Sequence, residues 1–135
     1  MNCVGGILMF RASFFISGKP KPWKRPQNAK WGGRYVDKQT RVYKGTCANY
    51  FWRNVPSPLT GAIKLVLEIR VKKPLASKYD QPISRKIGDV DNFAKSILDA
   101  GNGIAWLDDS QITDLSVRKV WAFDGIEGVM VEIHQ

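Results

Sequence analysis

The chain has 135 residues, the length of one ordinary domain, and 44% of them are hydrophobic. It contains two cysteines, Cys3 and Cys47, without C-x-x-C spacing, and a single histidine, His134. These counts exclude a disulfide framework, a metal site built from cysteine or histidine, and a catalytic pair that requires histidine. Any chemistry must therefore depend on carboxylates, lysines or hydroxyls.

The charge is distributed unevenly along the chain. There are 21 Lys and Arg residues against 12 Asp and Glu, which gives a net charge of +9. Ten basic residues and one acid lie between Gly18 and Val55, whereas the chain from Asp80 to the end carries ten acids and five bases. A basic half joined to an acidic half predicts a polyanion partner and a second site that requires carboxylates.

An alternating apolar stretch predicts a first strand over roughly Ile7 to Ser17. Arg11 interrupts this stretch, and no A-x-A cleavage pattern accompanies it. No run reaches the ~18 apolar residues that a membrane span needs. We therefore expect neither a signal peptide nor a membrane segment, and free cysteines favour a cytoplasmic location.

The middle of the chain predicts a loop, a helix and a strand. The prolines of Gly18 to Pro22 end the first strand, and Gly32-Gly33 predicts a turn within the basic segment that follows. Apolar residues at three- and four-residue spacing predict an amphipathic helix from about Thr40 to Val55. Strict alternation over Ala62 to Lys72 predicts the clearest strand.

The second half predicts a polar loop over Lys73 to Gly88 and then a second helix, which Asp89 or Asp91 would cap and which reaches Ala100. Two strands follow, over Ile112 to Trp121 and over Gly128 to His134. The element order is then β-α-β-α-β-β. This order predicts one α/β domain over residues 1–135, of mixed α+β type, with two helices packed on a mixed sheet.

Two aspartates two residues apart, Asp89 and Asp91, stand at the start of the second predicted helix. Because alternate residues of an extended segment project to one side, both carboxylates can share a metal ion. Magnesium prefers oxygen ligands, usually one or two carboxylates plus water and phosphate. Lys95 lies four residues after Asp91, on the same helical face, where it can orient a water or steady charge on a phosphate. A further aspartate from the turn at Asp108-Asp109 would complete a one-metal or two-metal site for phosphodiester hydrolysis.

The same residues also have simpler interpretations. An aspartate before a helix can be a cap, Asp91 and Lys95 can form a surface ion pair, and Asp108-Asp109 can be a turn. The protein would then be a non-catalytic basic module that binds DNA or RNA. A metal-dependent enzyme accounts for more of the sequence. A bound metal ion would offset the repulsion between a group of carboxylates and a polyanion partner.

The basic segment, residues 18–55, is the predicted DNA grip. Its lysines and arginines would neutralise phosphates while Trp23, Trp31 or Tyr35 stacks on unpaired bases, although these aromatic residues could equally pack on the core. The polar loop after the third predicted element could add contacts near the acids. The predicted DNA-binding residues are Lys19, Lys21, Lys24, Arg25, Lys30, Arg34, Lys73, Arg85 and Lys86.

The acidic segment, residues 88–112, also carries a resemblance to a known family. Three motifs follow one another: Asp89-x-Asp91-Asn92-x-x-Lys95, then Asp99-Ala100, then Trp106-Leu107-Asp108-Asp109-x-Gln111-Ile112. Together they resemble the RusA family of Holliday junction resolvases. The similarity covers roughly Gly88 to Lys119, and upstream of it only the order of elements is similar. The N-terminal leader departs from the family's usual short strand and Pro-rich, Asn-containing turn.

The resemblance implies a small homodimeric endonuclease, bacterial or phage-encoded, that acts in DNA recombination and repair. It implies Mg²⁺ as cofactor, with Mn²⁺ as a substitute, and paired symmetric nicks in four-way junctions. By position, Asp89, Asp91 and Asp109 would be the metal-binding catalytic aspartates and Lys95 the essential lysine, with Asp108 as the alternative third ligand. A nuclease for another branched DNA or for RNA is the alternative enzyme.

Overall fold

The computed structural model describes residues 2–4 and 7–135. The chain begins with two short paired strands, β1 (Asn2–Val4) and β2 (Ile7–Met9), and then enters the main sheet with β3 (Arg11–Ser17). The predicted single strand over Ile7 to Ser17 is therefore two strands. They separate at Phe10 because β2 pairs with β1, whereas β3 pairs with the last strand of the chain.

The main sheet has four strands in the order β3-β8-β6-β7, with β6 at Ile63–Val71, β7 at Ile112–Trp121 and β8 at Gly128–His134. The pair β6–β7 is parallel, and the pairs β3–β8 and β6–β8 are antiparallel. The sheet is therefore mixed, which confirms the predicted fold class.

Two helices cover one face of the sheet, α1 (Lys38–Asn54) and α2 (Val90–Gly101). α1 begins two residues before its predicted start because the Asp37 side chain caps it, accepting a hydrogen bond from the Thr40 amide at 2.7 Å. This hydrogen bond lowers the pKa of Asp37 below its usual value. No helix in residues 2–4 and 7–135 combines the length and apolar character needed to span a membrane.

The core lies between this sheet face and the two helices. Every second residue of β6 is buried, and Phe51 of α1 and Phe93 of α2 pack over them. The Phe51 ring meets Phe14 and Trp106 edge to face, at centroid distances of 5.5 and 5.3 Å. Strict alternation in β6 thus marks one buried face, as its sequence pattern predicted.

The segment β6–α2–β7 is a parallel crossover, and it fixes where the functional residues lie. A helix that joins two parallel strands runs opposite to both of them. α2 therefore begins at the edge where β6 and β7 end, here called the carboxyl edge. It ends at the edge where β7 begins, here called the amino edge. Its twelve residues separate the two edges by about 18 Å.

Besides β1, two small elements were not predicted from the sequence. One is a hairpin formed by β4 (Gln27–Asn28) and β5 (Arg34–Tyr35), and the other is a short 3₁₀ helix at Asp109–Gln111. Both are only two or three residues long, too short for a periodic pattern. The predicted turn at Gly32-Gly33 lies between the two hairpin strands, where both glycines have positive φ.

Candidate active site

Asp89 and Asp91 stand together at the N-terminus of α2, on the carboxyl edge. Asp89 occupies the N-cap position, but its side chain makes no capping hydrogen bond. Asp91 lies in the first helical turn, and both side chains are exposed. Neither carboxylate forms an ion pair with another described residue. The positive end of the helix dipole favours two negative charges at this position.

Gly88 determines how the chain enters α2. Its φ of +114° is strained for any residue with a side chain. A Cβ here would also lie 3.0 Å from Pro22 Cγ and 3.2 Å from the Phe93 ring. The Lys119 ammonium of β7 donates to the Gly88 carbonyl at 2.6 Å. The start of α2 is thereby fixed between the sheet and the basic segment.

The short stretch Lys21 to Trp23 lies against α2 just behind the two aspartates. The Trp23 amide donates to the Asn92 carbonyl at 2.9 Å, and the Ser96 hydroxyl donates to the Lys21 carbonyl at 2.8 Å. These bonds join residues more than sixty positions apart in the chain. The basic segment is therefore attached directly to the helix that carries the carboxylates.

Lys95 is exposed on α2, and its ammonium lies 3.5 Å from the centroid of the Trp23 ring. This is a close cation–π contact, which holds a positive charge over an aromatic face. Asp91 and Lys95 share the helix at the predicted four-residue spacing, but no ion pair joins them. The lysine is thus placed beside the aspartates by Trp23 and not by Asp91.

The acidic turn lies at the amino edge and its two aspartates differ. Asp108 caps the 3₁₀ helix and accepts a hydrogen bond from the Ser110 amide at 3.0 Å. Hydrogen bonds from the Ser110 side chain and amide hold the pKa of Asp108 below its usual value. The Gln111 side chain accepts from the Leu107 and Asp108 amides and fixes the turn. Asp109 is exposed and its side chain has no hydrogen bond to another described residue.

The three aspartates predicted to bind metal are therefore divided between two edges. Asp89 and Asp91 lie at the beginning of α2, whereas Asp109 lies beyond its end, about one helix length of 18 Å away. In the described part of the chain, no group of three Asp, Glu, His or Cys side chains is close enough to hold an ion. One chain brings together two of the three predicted ligands.

A lysine-rich cleft of about 760 Å³ opens at the carboxyl edge, and its lining includes Ile87, two residues before Asp89. Its walls come from the stretch after β3, the start of α1, the loop after β6 and the residues before α2. None of its lysines is ion-paired with a described acid, and Glu127 is the acid in its lining. The cleft lysines are Lys19, Lys21, Lys24, Lys72, Lys73 and Lys86.

The cleft thus gathers five of the nine predicted DNA-binding residues and adds Lys72. Arg25 and Arg85 are exposed next to cleft residues in the chain, and Lys30 and Arg34 are exposed on the β4–β5 hairpin. Unpaired cations concentrated in a concave surface create a strong positive potential, which attracts phosphate. The arrangement places a strongly basic surface at the same edge as a carboxylate pair.

The sequence analysis did not identify the positioning roles of Trp23, which contacts Lys95, and of Lys119, which holds Gly88. Trp23 was considered only as a base-stacking residue, and Lys119 was not considered at all. Alternation did place Lys119 on the inner face of β7, where a charged residue needs a partner, and this was the available signal. Burial raises the pKa of the Cys47 thiol to about 11, so this cysteine is a packing residue of the core.

A family model described as Endodeoxyribonuclease RusA matches residues 17–134. The match runs from the end of β3 to the end of β8 and contains the carboxyl edge, the amino edge and the cleft. It confirms the resemblance that the acidic motifs indicated. No curated protein matches the chain.

Proposed function

Because this chain belongs to the RusA family of endodeoxyribonucleases, which are metal-dependent enzymes that bind and resolve Holliday junctions, we propose that it works with Mg²⁺ and makes paired symmetric nicks. The supporting observation is that two free carboxylates, Asp89 and Asp91, lie at the same edge of the sheet as the lysine-rich cleft. Acids would repel a polyanion at this point unless a cation joined them. The basic residues 18–55 and the acidic residues 88–112 would then act as two parts of one endonuclease domain.

The donor set fits a hard divalent cation. Asp89 and Asp91 offer exposed carboxylate oxygens that no described residue occupies, and magnesium commonly binds one or two carboxylates plus water and phosphate. Manganese has the same preference for oxygen and is a suitable substitute. When bound, the ion would supply the positive charge that phosphodiester hydrolysis requires at the attacking and leaving oxygens.

The residues of the chain itself position the substrate. The cleft lysines would hold the backbone of one DNA strand and direct a phosphate towards the N-terminus of α2, where helix amides also favour anions. Lys95, held by Trp23, would steady the negative charge that develops on that phosphate. Because several lysines neutralise phosphates, affinity should fall steeply with salt.

We further propose that a second subunit completes each site. Asp109 lies at the opposite edge from Asp89 and Asp91, and a two-fold axis beside the middle of α2 would bring the partner's Asp109 to the carboxyl edge. Exposed apolar side chains of Leu107 and Leu115 lie along this side of the molecule and would be covered in such a dimer. A symmetric dimer also suits a four-way junction, whose paired strands are related by a two-fold axis.

The proposal is tested by offering synthetic four-way junction, fork, linear duplex, single strand and RNA side by side, with and without Mg²⁺. We expect paired nicks in the four-way junction and only with the metal. Calcium should support binding but little cleavage, since its looser coordination positions water poorly. Preference for a fork or for RNA would identify the alternative nuclease, and binding without cleavage would identify a non-catalytic module. The proposed place of action is the cytoplasm, where such DNA is found.

A further inference from the structure

The tip of the β4–β5 hairpin presents a tryptophan to solvent. Trp31 is 91% exposed, although it is the largest apolar residue of the hairpin. The turn around it is well defined, because the Ala29 amide donates to the Gly33 carbonyl at 2.9 Å. Gly32 and Gly33 have φ values of +96° and +78°, which residues with side chains rarely adopt. The fold thus builds a turn that keeps this indole away from the core.

The surroundings of Trp31 are cationic. Lys30 places its ammonium 5.6 Å from the centroid of the Trp31 ring. The comparably exposed Phe123 lies instead next to Asp124 and near Glu127, which repel phosphate. Residues 24–36 contain no acid, and their basic members are Lys24, Arg25, Lys30 and Arg34.

The hairpin projects from the carboxyl edge. Three residues separate it from Trp23, which packs on α2, and one residue separates it from Asp37, which caps α1. Lys24 at its base lines the lysine-rich cleft. A strand held in the cleft would therefore pass the base of the hairpin, and the tip would meet DNA a short distance from the carboxylate pair.

We propose that Trp31 stacks on a base exposed at the branch point of the junction, while the cations of the hairpin contact the adjacent phosphates. Base pairs next to a branch point lose one stacking neighbour, and an aromatic ring can replace that neighbour. Stacking requires no particular base, so Trp31 would select branched over linear DNA without reading sequence. This inference rests on the proposed function, because it takes four-way DNA as the ligand.

The test measures binding without metal, so that the DNA stays intact, to a junction with 2-aminopurine at the branch point and to a linear duplex of the same sequence. Trp31→Ala should weaken junction binding about tenfold and leave duplex binding unchanged. Trp31→Phe should restore most of the affinity, because phenylalanine also stacks. Trp52→Ala is the matched control, because Trp52 is 71% exposed but lies near the opposite end of α1. The 2-aminopurine fluorescence should change with the parent and with Trp31→Phe but not with Trp31→Ala.

Two outcomes overturn the inference alone: Trp31→Ala keeps the parent's preference for junction over duplex, or it weakens both equally. A change in the sedimentation of the free protein with Trp31→Ala would instead assign the hairpin to contact between subunits and would also overturn it. If the parent binds junction no better than duplex, the proposed function fails as well. The preference of the parent protein for junction over duplex therefore tests the proposed function. The comparison of Trp31→Ala with Trp52→Ala tests the stacking.

Discussion

At the scale of single residues, the four candidate metal-binding aspartates of the acidic segment differ in what their carboxylates already do. Asp108 is engaged with the Ser110 amide, and that bond stabilises its charged form. Asp89, Asp91 and Asp109 are exposed and unengaged among the described residues. A metal ligand must leave its oxygens accessible, so this contrast supports Asp109 over Asp108 as the proposed third ligand.

The choice between these two aspartates can be tested by one substitution at each. Asp109→Asn removes the charge that would hold the metal, so cleavage of a four-way junction should fall by orders of magnitude. Asp108→Asn should cut nearly as fast as the parent, because an asparagine oxygen can still accept from the Ser110 amide. Single-turnover cleavage rates check both variants. The reverse pattern would make Asp108 the ligand.

Trp23 should act through Lys95. Trp23→Leu removes the aromatic face below the ammonium and should lower the single-turnover rate about tenfold, whereas Trp23→Phe preserves the face and most of the rate. In a Lys95→Ala variant, adding Trp23→Leu should lower the single-turnover rate little further, because the lysine on which Trp23 acts is already absent. Additive losses, or an equal loss with Trp23→Phe, would show that Trp23 does not hold the lysine for catalysis.

At the scale of elements, the crossover helix α2 has candidate metal ligands near both of its ends. Asp89 is its N-cap, Asp91 lies in its first turn, and its last residue, Gly101, packs against the buried ring of Trp106. Trp106 in turn lies directly before the acidic turn. The packing at the end of α2 therefore determines where Asp109 is presented.

Gly101 leaves no room for a side chain, and this can be measured. A Cβ at Gly101 would lie 2.5 Å from Cζ2 of Trp106, so Gly101→Ala should lower the free energy of unfolding by about 1–3 kcal/mol. Gly45→Ala is the matched control in α1, where nothing lies within 4 Å, and it should stabilise by roughly 0.5–1 kcal/mol. Urea unfolding measures both. Equal effects of the two substitutions would contradict this packing.

The sequence was sufficient to locate the strands that have a long periodic pattern. Alternation located β6 to within a residue at each end, and the bounds of β7 and β8 agree with prediction. Local spacing could not show that Trp23 meets Lys95, because such contacts depend on how distant segments pack. The separation of Asp91 from Asp109 was accessible in principle. If the strands on either side of α2 are parallel, the two ends of α2 must lie at opposite edges of the sheet. The parallel pairing of β6 with β7 became known only from the structure.

At the scale of the whole molecule, charge and topology divide the surface into two regions, for which we propose different partners. The carboxyl edge combines the cleft lysines with Asp89 and Asp91 and suits DNA. The amino edge presents Asp109 and suits a second subunit. In this proposal the net charge of +9 attracts the DNA, and a dimer brings Asp109 of one subunit to the Asp89 and Asp91 of the other.

The dimer should depend on the exposed apolar side chains beside α2. Leu115→Glu places a charge where the partner would pack, so sedimentation should shift from about twice the 15.2 kDa chain mass to a monomer. Val42→Glu is the matched control, because Val42 is an exposed apolar residue of α1 and its substitution should leave the dimer intact. A parent that is monomeric both free and on junction DNA would contradict the paired-nick mechanism.

A site shared between subunits is tested most directly with mixed dimers of two inactive variants. Asp91→Asn and Asp109→Asn chains carrying different tags are co-expressed, and dimers with one chain of each are isolated. One site of such a dimer would combine the native Asp91 of one subunit with the native Asp109 of the other, and the second site would carry both substitutions. We predict that mixed dimers nick one strand of a four-way junction in Mg²⁺ at about half the parent's rate, while each pure variant is inactive. Mixed dimers as inactive as the pure variants would exclude a site built from both subunits.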